Sequence, residues 1–318
     1  MSGNQALNAN RYVGQQADLQ ITNHGSDWYY TVCALMGLTT LIIMGLAFRK
    51  PQTHRLFHYI TAAITAVACV AYFAMASNLG QLPILVEWAR PGSRWVRAAG
   101  TREVFYARYI DWAITTPLLL LELLLTAGVP TPTILVTLLA DVFMIVCGLI
   151  GALTQTRYKW GFWTFGMAAL FFIAYELLFD ARRHANVLGG DPKKTFWTCG
   201  VWLLLLWFLY PIAWGLSEGG NVIHPDSEAI FYGILDVLSK IGFAGLLLWG
   251  HRKTSPRALG RNIREPDQTV EKYHHNGGGA SEGAPSNLSG TTAGAGHPTA
   301  HPVATGHAAP GVAAPAHV

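Results

Sequence analysis

The chain has 318 residues, of which 51% are hydrophobic and 13% charged, with a formal net charge of +4. A soluble domain carries about a quarter charged residues, so the deficit argues for lipid as the main solvent, and the mean hydropathy of +0.29 agrees. The basic residues are scattered rather than gathered into a stripe, which argues against a nucleic-acid partner.

The polar start, "MSGNQALNANRYVGQQADLQ", has no apolar h-region, so no cleavable signal peptide is expected. Apolar runs follow near 28–48, 56–79, 103–127, 131–153, 158–181, 194–217 and 227–250. Each is long enough, at about 20 residues, to cross a bilayer as a helix. Short links such as "RKPQTHR" and "GVPTP" imply antiparallel neighbours. The stretch 80–102, with Pro83, Pro91, Gly92 and Gly100, is too polar and broken to span and reads as a structured loop, a hairpin. Cys33, Cys69, Cys147 and Cys199 lie inside apolar runs without C-x-x-C spacing, which predicts small buried residues rather than a disulfide framework or a metal site.

Beyond about 254 the chain is Gly, Ala, Pro, Ser, Thr and His with almost no large apolar residue, the composition of a disordered tail. Its histidines (His274, His275, His297, His301, His307, His317) read as solvated rather than metal-binding, and the sequon at Asn287 as unused. The basic residues flanking the runs favour an outside N-terminus and a cytoplasmic C-terminus. The expected organisation is a polar extracellular segment over 1–27, an all-α seven-helix membrane domain over 28–252 and a cytoplasmic tail over 253–318.

Charges inside these spans are costly and mark function. In "EVFYARYIDWAITTPLLLLELLLTAG", Arg108 and Asp111 are three apart, helical neighbours that can pair. Glu122 lies eleven residues after Asp111, on nearly the same face and roughly 16 Å further along the axis. Thr115 and Leu119 fill the face between these two carboxylates. Such in-line titratable stations suit a proton relay. In "YGILDVLSK", Asp236 and Lys240 are four apart, with Lys240 deep in its span. A buried lysine is neutral, paired, or bound to a carbonyl cofactor. "WFLYPIAW" sets Trp207, Tyr210 and Trp214 on one face beside Pro211, which kinks the helix. Trp112 and Trp163 add indoles from other spans, and the set suits a flat apolar ligand.

"RYIDWAITTPLLLLE", "WFLYPIAW" and "LDVLSK" resemble the third, sixth and seventh helices of microbial (type I) rhodopsins, in particular the fungal opsins related to bacteriorhodopsin. The likeness covers about 28–252. It implies that Lys240 binds all-trans retinal as a protonated Schiff base, with Asp111 as primary proton acceptor and Asp236 as second counterion. It implies Arg108 as the gate for release, Glu122 as the cytoplasmic proton donor with Thr61 in contact, and Glu218 and Glu228 as the outer release pair. Tyr72 falls near the counterion. Trp112, Thr116, Leu119, Trp163, Trp207, Tyr210, Pro211 and Trp214 fall in the chromophore pocket, with Met144 and Asp141 near its far end. Asp141 also reads as a protonated, hydrogen-bonded core acid, and Glu218 and Glu228 also read as plain loop acids. Ser239 beside the lysine implies a blue shift, and Trp163 leaves no room for an antenna carotenoid.

The resemblance implies a light-driven outward proton pump rather than an enzyme, in the plasma membrane rather than an internal one, with protons and lipid as partners, a homo-oligomer as an option, and no metal. The Asp111, Thr115, Glu122 set does not fit inward chloride pumps or sodium pumps. A slow-cycling photosensory opsin is the rival. A channel would want more polar residues along its first three spans than "ITAAITAVACVAYFAM" offers. A receptor or transporter without retinal would leave Lys240 and two acids unexplained, and no internal repeat of the transporter type is present.

Overall fold

The apolar runs become seven helices long and apolar enough to cross a membrane, in a computed structural model that describes residues 5–10, 16–88 and 100–254. The tail from 255, with its histidines and Asn287, and the middle of the expected hairpin, with Pro91 and Gly92, lie outside the described residues. A short helix α1 (Gln5–Asn10) comes first. The spans are α2 (Asn23–Phe48), α3 (Leu56–Ala76), α4 (Tyr106–Ala127), α5 (Thr131–Leu153), α6 (Lys159–Leu188), α7 (Gly190–Gly219) and α8 (Pro225–Lys253). The molecule is a multi-pass membrane protein of the all-α, seven-helix class.

Where helix ends differ from the apolar runs, the reason is local: a cap, a pair of glycines or a strand. Helix α2 begins at Asn23 rather than 28, because the Thr22 side chain accepts from the His24 N–H at 3.2 Å and carries the helix out past the greasy stretch. Helix α6 continues past 181 through "RRHANVL" and stops at Gly189, where φ is +66°. Gly190, at φ +52°, opens α7 four residues before the expected 194. Both glycines sit in the left-handed region that side chains avoid, so the two helices join with almost no loop. Helix α4 starts at Tyr106 rather than 103 because Thr101–Phe105 is a strand.

That strand, β2, pairs antiparallel with β1 (Gln81–Leu85), in register from Gln81 opposite Phe105 to Leu85 opposite Thr101. Leu19 adds a parallel bridge to Arg102. The Ile21 N–H donates to the Glu103 carboxylate at 2.9 Å, so the chain before α2 is stitched to the hairpin. The hairpin lies at the end of the bundle where α4 begins, called here the hairpin end.

Helix α4 is the central column: 67% of its apolar window is buried, against 22% for α2. Outward-facing Leu41, Val70, Leu139 and Leu205 are exposed, as lipid-facing side chains are. Cys147 and Cys199 are buried as expected; Cys33 and Cys69 are only half-buried, their sulfurs 3.6 Å apart across the α2–α3 contact. Three stretches widen to π-type turns, at Glu176–Ala181, Gly215–Gly219 and Val237–Gly242. Two of them hold Glu218 and Lys240, the kind of placement by which a local bulge re-aims a functional side chain.

Candidate functional site

The Lys240 ammonium lies 3.0 Å from Asp111 and 2.9 Å from Asp236, with all three side chains essentially sealed from solvent. The two acids are not equivalent. Asp236 accepts from the Tyr72 hydroxyl at 2.7 Å, the Tyr210 hydroxyl at 2.7 Å and the Trp112 indole at 3.2 Å. Tyr210 also contacts Ser239 at 2.9 Å. Among the described residues, neither carboxylate oxygen of Asp111 has a hydrogen-bond partner beyond its ion pair with Lys240. Thr115 does not supply one, because its hydroxyl donates to the Asp111 backbone carbonyl at 2.8 Å.

The pairing that the Arg108–Asp111 spacing allows is not used. Helical side chains lean toward the helix N-terminus, and Arg108 leans toward the hairpin end, where acids from α7 and α8 receive it. It donates to Glu228 at 2.6 Å, to Glu218 at 3.3 Å and to the Tyr29 hydroxyl at 2.8 Å, and its guanidinium lies 4.2 Å over the Tyr232 ring. The second oxygen of Glu228 is held by Arg102 at 2.6 Å, and Arg102 also reaches the Asn221 side chain at 2.7 Å. Glu218 accepts from Tyr109 at 3.1 Å, from Tyr232 at 3.2 Å and from its neighbour Ser217, while Lys159 donates to its backbone carbonyl at 3.1 Å. Both glutamates are buried, so they are not solvated loop acids.

Glu122 stands apart, fully buried at a point of α4 whose flanking leucines belong to a hydrophobic core that also holds Phe57, Cys199 and Phe243. Its carboxyl contacts Thr61 at 2.6 Å, and its Oε2 has no partner among the described residues. The Thr61 hydroxyl also donates to the Phe57 carbonyl at 2.6 Å. One hydroxyl hydrogen cannot serve two acceptors in full, so both contacts are satisfied together when the Glu122 carboxyl carries a proton and donates it.

An apolar cavity runs from Lys240 between α4, α5, α6 and α7, with about 750 Å³ free of protein atoms, its open mouth included. Trp112, Thr116, Leu119, Met144, Trp163, Trp207, Tyr210, Pro211 and Trp214 all line it. Asp141 does not: it sits behind the wall, accepting from the Thr116 hydroxyl at 2.8 Å. Helix α7 is interrupted at Phe208, and the Pro211 carbonyl accepts from the Trp163 indole at 3.3 Å. Gly148 and Gly166 also line the cavity; a Cβ on Gly148 would come within 3.3 Å of the Tyr109 ring. Sequence reasoning missed these two glycines together with Tyr109, Met167 and Leu170, although Trp163, Gly166, Met167 and Leu170 follow one helical stripe.

A long apolar slot ending at one amine suits a flat, elongated carbonyl compound such as retinal. The two acids at that amine can balance its charge, and the lining offers few polar atoms to oppose a hydrocarbon.

Residues 23–254 match the profile of a family described as bacteriorhodopsin-like protein. The opsin-like protein carO of Fusarium fujikuroi is 56% identical over 270 residues, covering 84% of this chain and 87% of the relative. The light-driven proton pump CsR, a rhodopsin of Coccomyxa subellipsoidea, has a crystal structure that matches with a TM-score of 0.69 at 36% identity, covering 73% of this chain and 99% of that one. The light-driven proton pump LR (Mac) of Leptosphaeria maculans matches with a TM-score of 0.69 at 36% identity, covering 74% and 98% of the two chains.

Proposed function

The chain belongs to the bacteriorhodopsin-like family, whose members bind retinal, and from that premise we propose that it is a light-driven proton pump carrying protons toward the hairpin end. In this reading Lys240 holds all-trans retinal, the hairpin end faces outward and the C-terminus is cytoplasmic. Trp112, Tyr210 and Trp214 confine the chromophore, and the plasma membrane is the site of action. When bound, retinal supplies light absorption and a change of shape that redirects the proton on the Lys240 nitrogen.

The protein's part begins with Asp111. Its carboxylate is buried and held by Lys240 alone, so once that cation turns away, taking up a proton is the cheapest relief. Asp236 keeps its charge because two tyrosines and an indole still donate to it. Neutralising Asp111 alters the field on Arg108, whose partners are Glu218, Glu228 and Tyr29, and the release group lies there. Glu122, protonated in its dry pocket, returns a proton to the Lys240 nitrogen from the other side.

The observation that carries the proposal is Glu122 itself: a protonatable acid sealed in the half of the bundle opposite the acceptor, on the same helix. Illumination of retinal-supplied cells tests it. Acidification of the medium that an uncoupler abolishes is the expected result; an intact photocycle without any pH change overturns pumping and marks a photosensor.

A further inference from the structure

A pump of this kind refills Glu122 from water, and the hydrogen bonds at the last turn of α8 bring His251 to the α4 turn that follows Glu122. Its ring stacks on Phe57 at 4.2 Å between centroids and 15° between planes, and the residue is half-buried, so it touches both the core and the water side. Its Nδ1 faces the Leu247 carbonyl at 3.0 Å, and its Nε2 faces the Thr126 hydroxyl at 3.2 Å. Thr126 lies four residues after Glu122 on α4 and donates to the Glu122 backbone carbonyl at 2.7 Å. His251 therefore meets α4 about one helical turn beyond Glu122, roughly 5–6 Å along the axis, while the Glu122 carboxyl faces Thr61.

The hydrogen count at this ring is informative. The Leu247 carbonyl requires a proton on Nδ1. With the Thr126 hydrogen committed to Glu122, Nε2 must also donate, which only the imidazolium can do. The neutral ring is accommodated when the Thr126 hydroxyl turns toward Nε2 instead. The site thus has a satisfied arrangement in each protonation state, and one hydroxyl rotation separates them. Around it stand His58 from α3, its electrostatic neighbour with an unpartnered Nδ1, Glu122 from α4, and Arg252 and Lys253 on its own turn; α7 approaches through Thr195 at Gly250.

We propose that His251 is the proton-uptake station of the pump, taking protons from water and passing them to Glu122. The inference rests on the reading of Glu122 as donor. The step moves a proton from Nε2 of the imidazolium to an ionised Glu122 carboxylate, across the Thr126 turn, and leaves a neutral ring that takes another proton from water. Phe57 serves as the positioning residue, since it holds the ring and its carbonyl anchors Thr61.

The test uses the full chain with all-trans retinal in lipid vesicles, following the Glu122 carboxyl band by time-resolved infrared absorption after a flash. His251→Gln can still donate and accept hydrogen bonds but has no titratable proton; His251→Phe keeps only the stack. In both, Glu122 should lose its proton at the wild-type rate and regain it roughly 10- to 100-fold more slowly, and added imidazole should restore the rate. In the dark, the His251 ring nitrogens should titrate with bulk pH by 15N NMR. Unchanged refilling of Glu122 in both variants, or a ring that never titrates over about pH 4–9, overturns the uptake role and leaves the donor intact. A wild-type Glu122 band that does not change at all overturns the donor reading, and the uptake role with it.

Discussion

The two halves of the bundle treat buried acids in opposite ways. Toward the hairpin, Glu228 sits between two arginines, Glu218 receives two tyrosines and a serine, and Asp236 receives two tyrosines and an indole. Toward the other end, the Glu122 carboxyl has one threonine and is otherwise sealed in an apolar part of the bundle. A carboxylate surrounded by donors is stable as an anion, whereas one in hydrocarbon keeps its proton. The surroundings thereby favour the charged form on one side and the protonated form on the other. Asp111 stands at the border, buried like Glu122 and paired like Asp236, but with no donor beyond Lys240. It is the acid whose state a single charge decides.

The largest effect is expected at the shared cation. Lys240→Ala should abolish the visible band of retinal-supplied protein, and absorbance spectroscopy that still finds a band would remove the lysine from the cofactor site. Next comes the contrast between its two acids. Asp111→Asn should red-shift the pigment and stop net transport in vesicle pH assays, whereas Tyr72→Phe, which removes one of the donors to Asp236, should leave transport running. If the tyrosine variant silences the pump as completely, the acids are not divided into acceptor and fixed anion. Glu122→Gln should lengthen the deprotonated lifetime of the Lys240 nitrogen by about 100-fold, a usual contribution for a positioned proton donor. Flash photolysis with an unchanged cycle would mean that the dry half stores no proton.

The sequence displays the parts of this design unevenly. A lysine and an aspartate four apart in an apolar run announce themselves, because lipid makes their presence expensive. The seven spans are equally visible. Arg108 shows the limit: three-residue spacing makes it a neighbour of Asp111, but the direction of the side chain depends on acids more than a hundred residues away. Arg102 and Lys159 stand at the edges of apolar runs, and only the fold carries Arg102 to Glu228 and Lys159 to the Glu218 backbone carbonyl. Asp141 sits in a helical stripe beside cavity residues, yet one residue, Thr116, intervenes. Helix spacing reports faces; it does not report which side chain stands in front.

The smallest expected effect concerns the hairpin itself. Glu103 is nearly sealed from solvent, and burial pushes its carboxyl up to about 7, against the hydrogen bond from Ile21 and the attraction of Arg108. Between an ordinary glutamate value near 4.5 and about 7, the folded chain therefore holds a proton that the unfolded chain has lost. Stability should fall as pH rises through this window, since the folded state binds the extra proton. Glu103→Gln keeps an acceptor for the Ile21 N–H but cannot ionise. It should raise the thermal midpoint at pH 8 by on the order of 5 °C and change it little at pH 4, where the wild-type carboxyl is already protonated. An equal shift at both pH values would mean that Glu103 acts by packing alone, and that the hairpin half holds all its acids as anions.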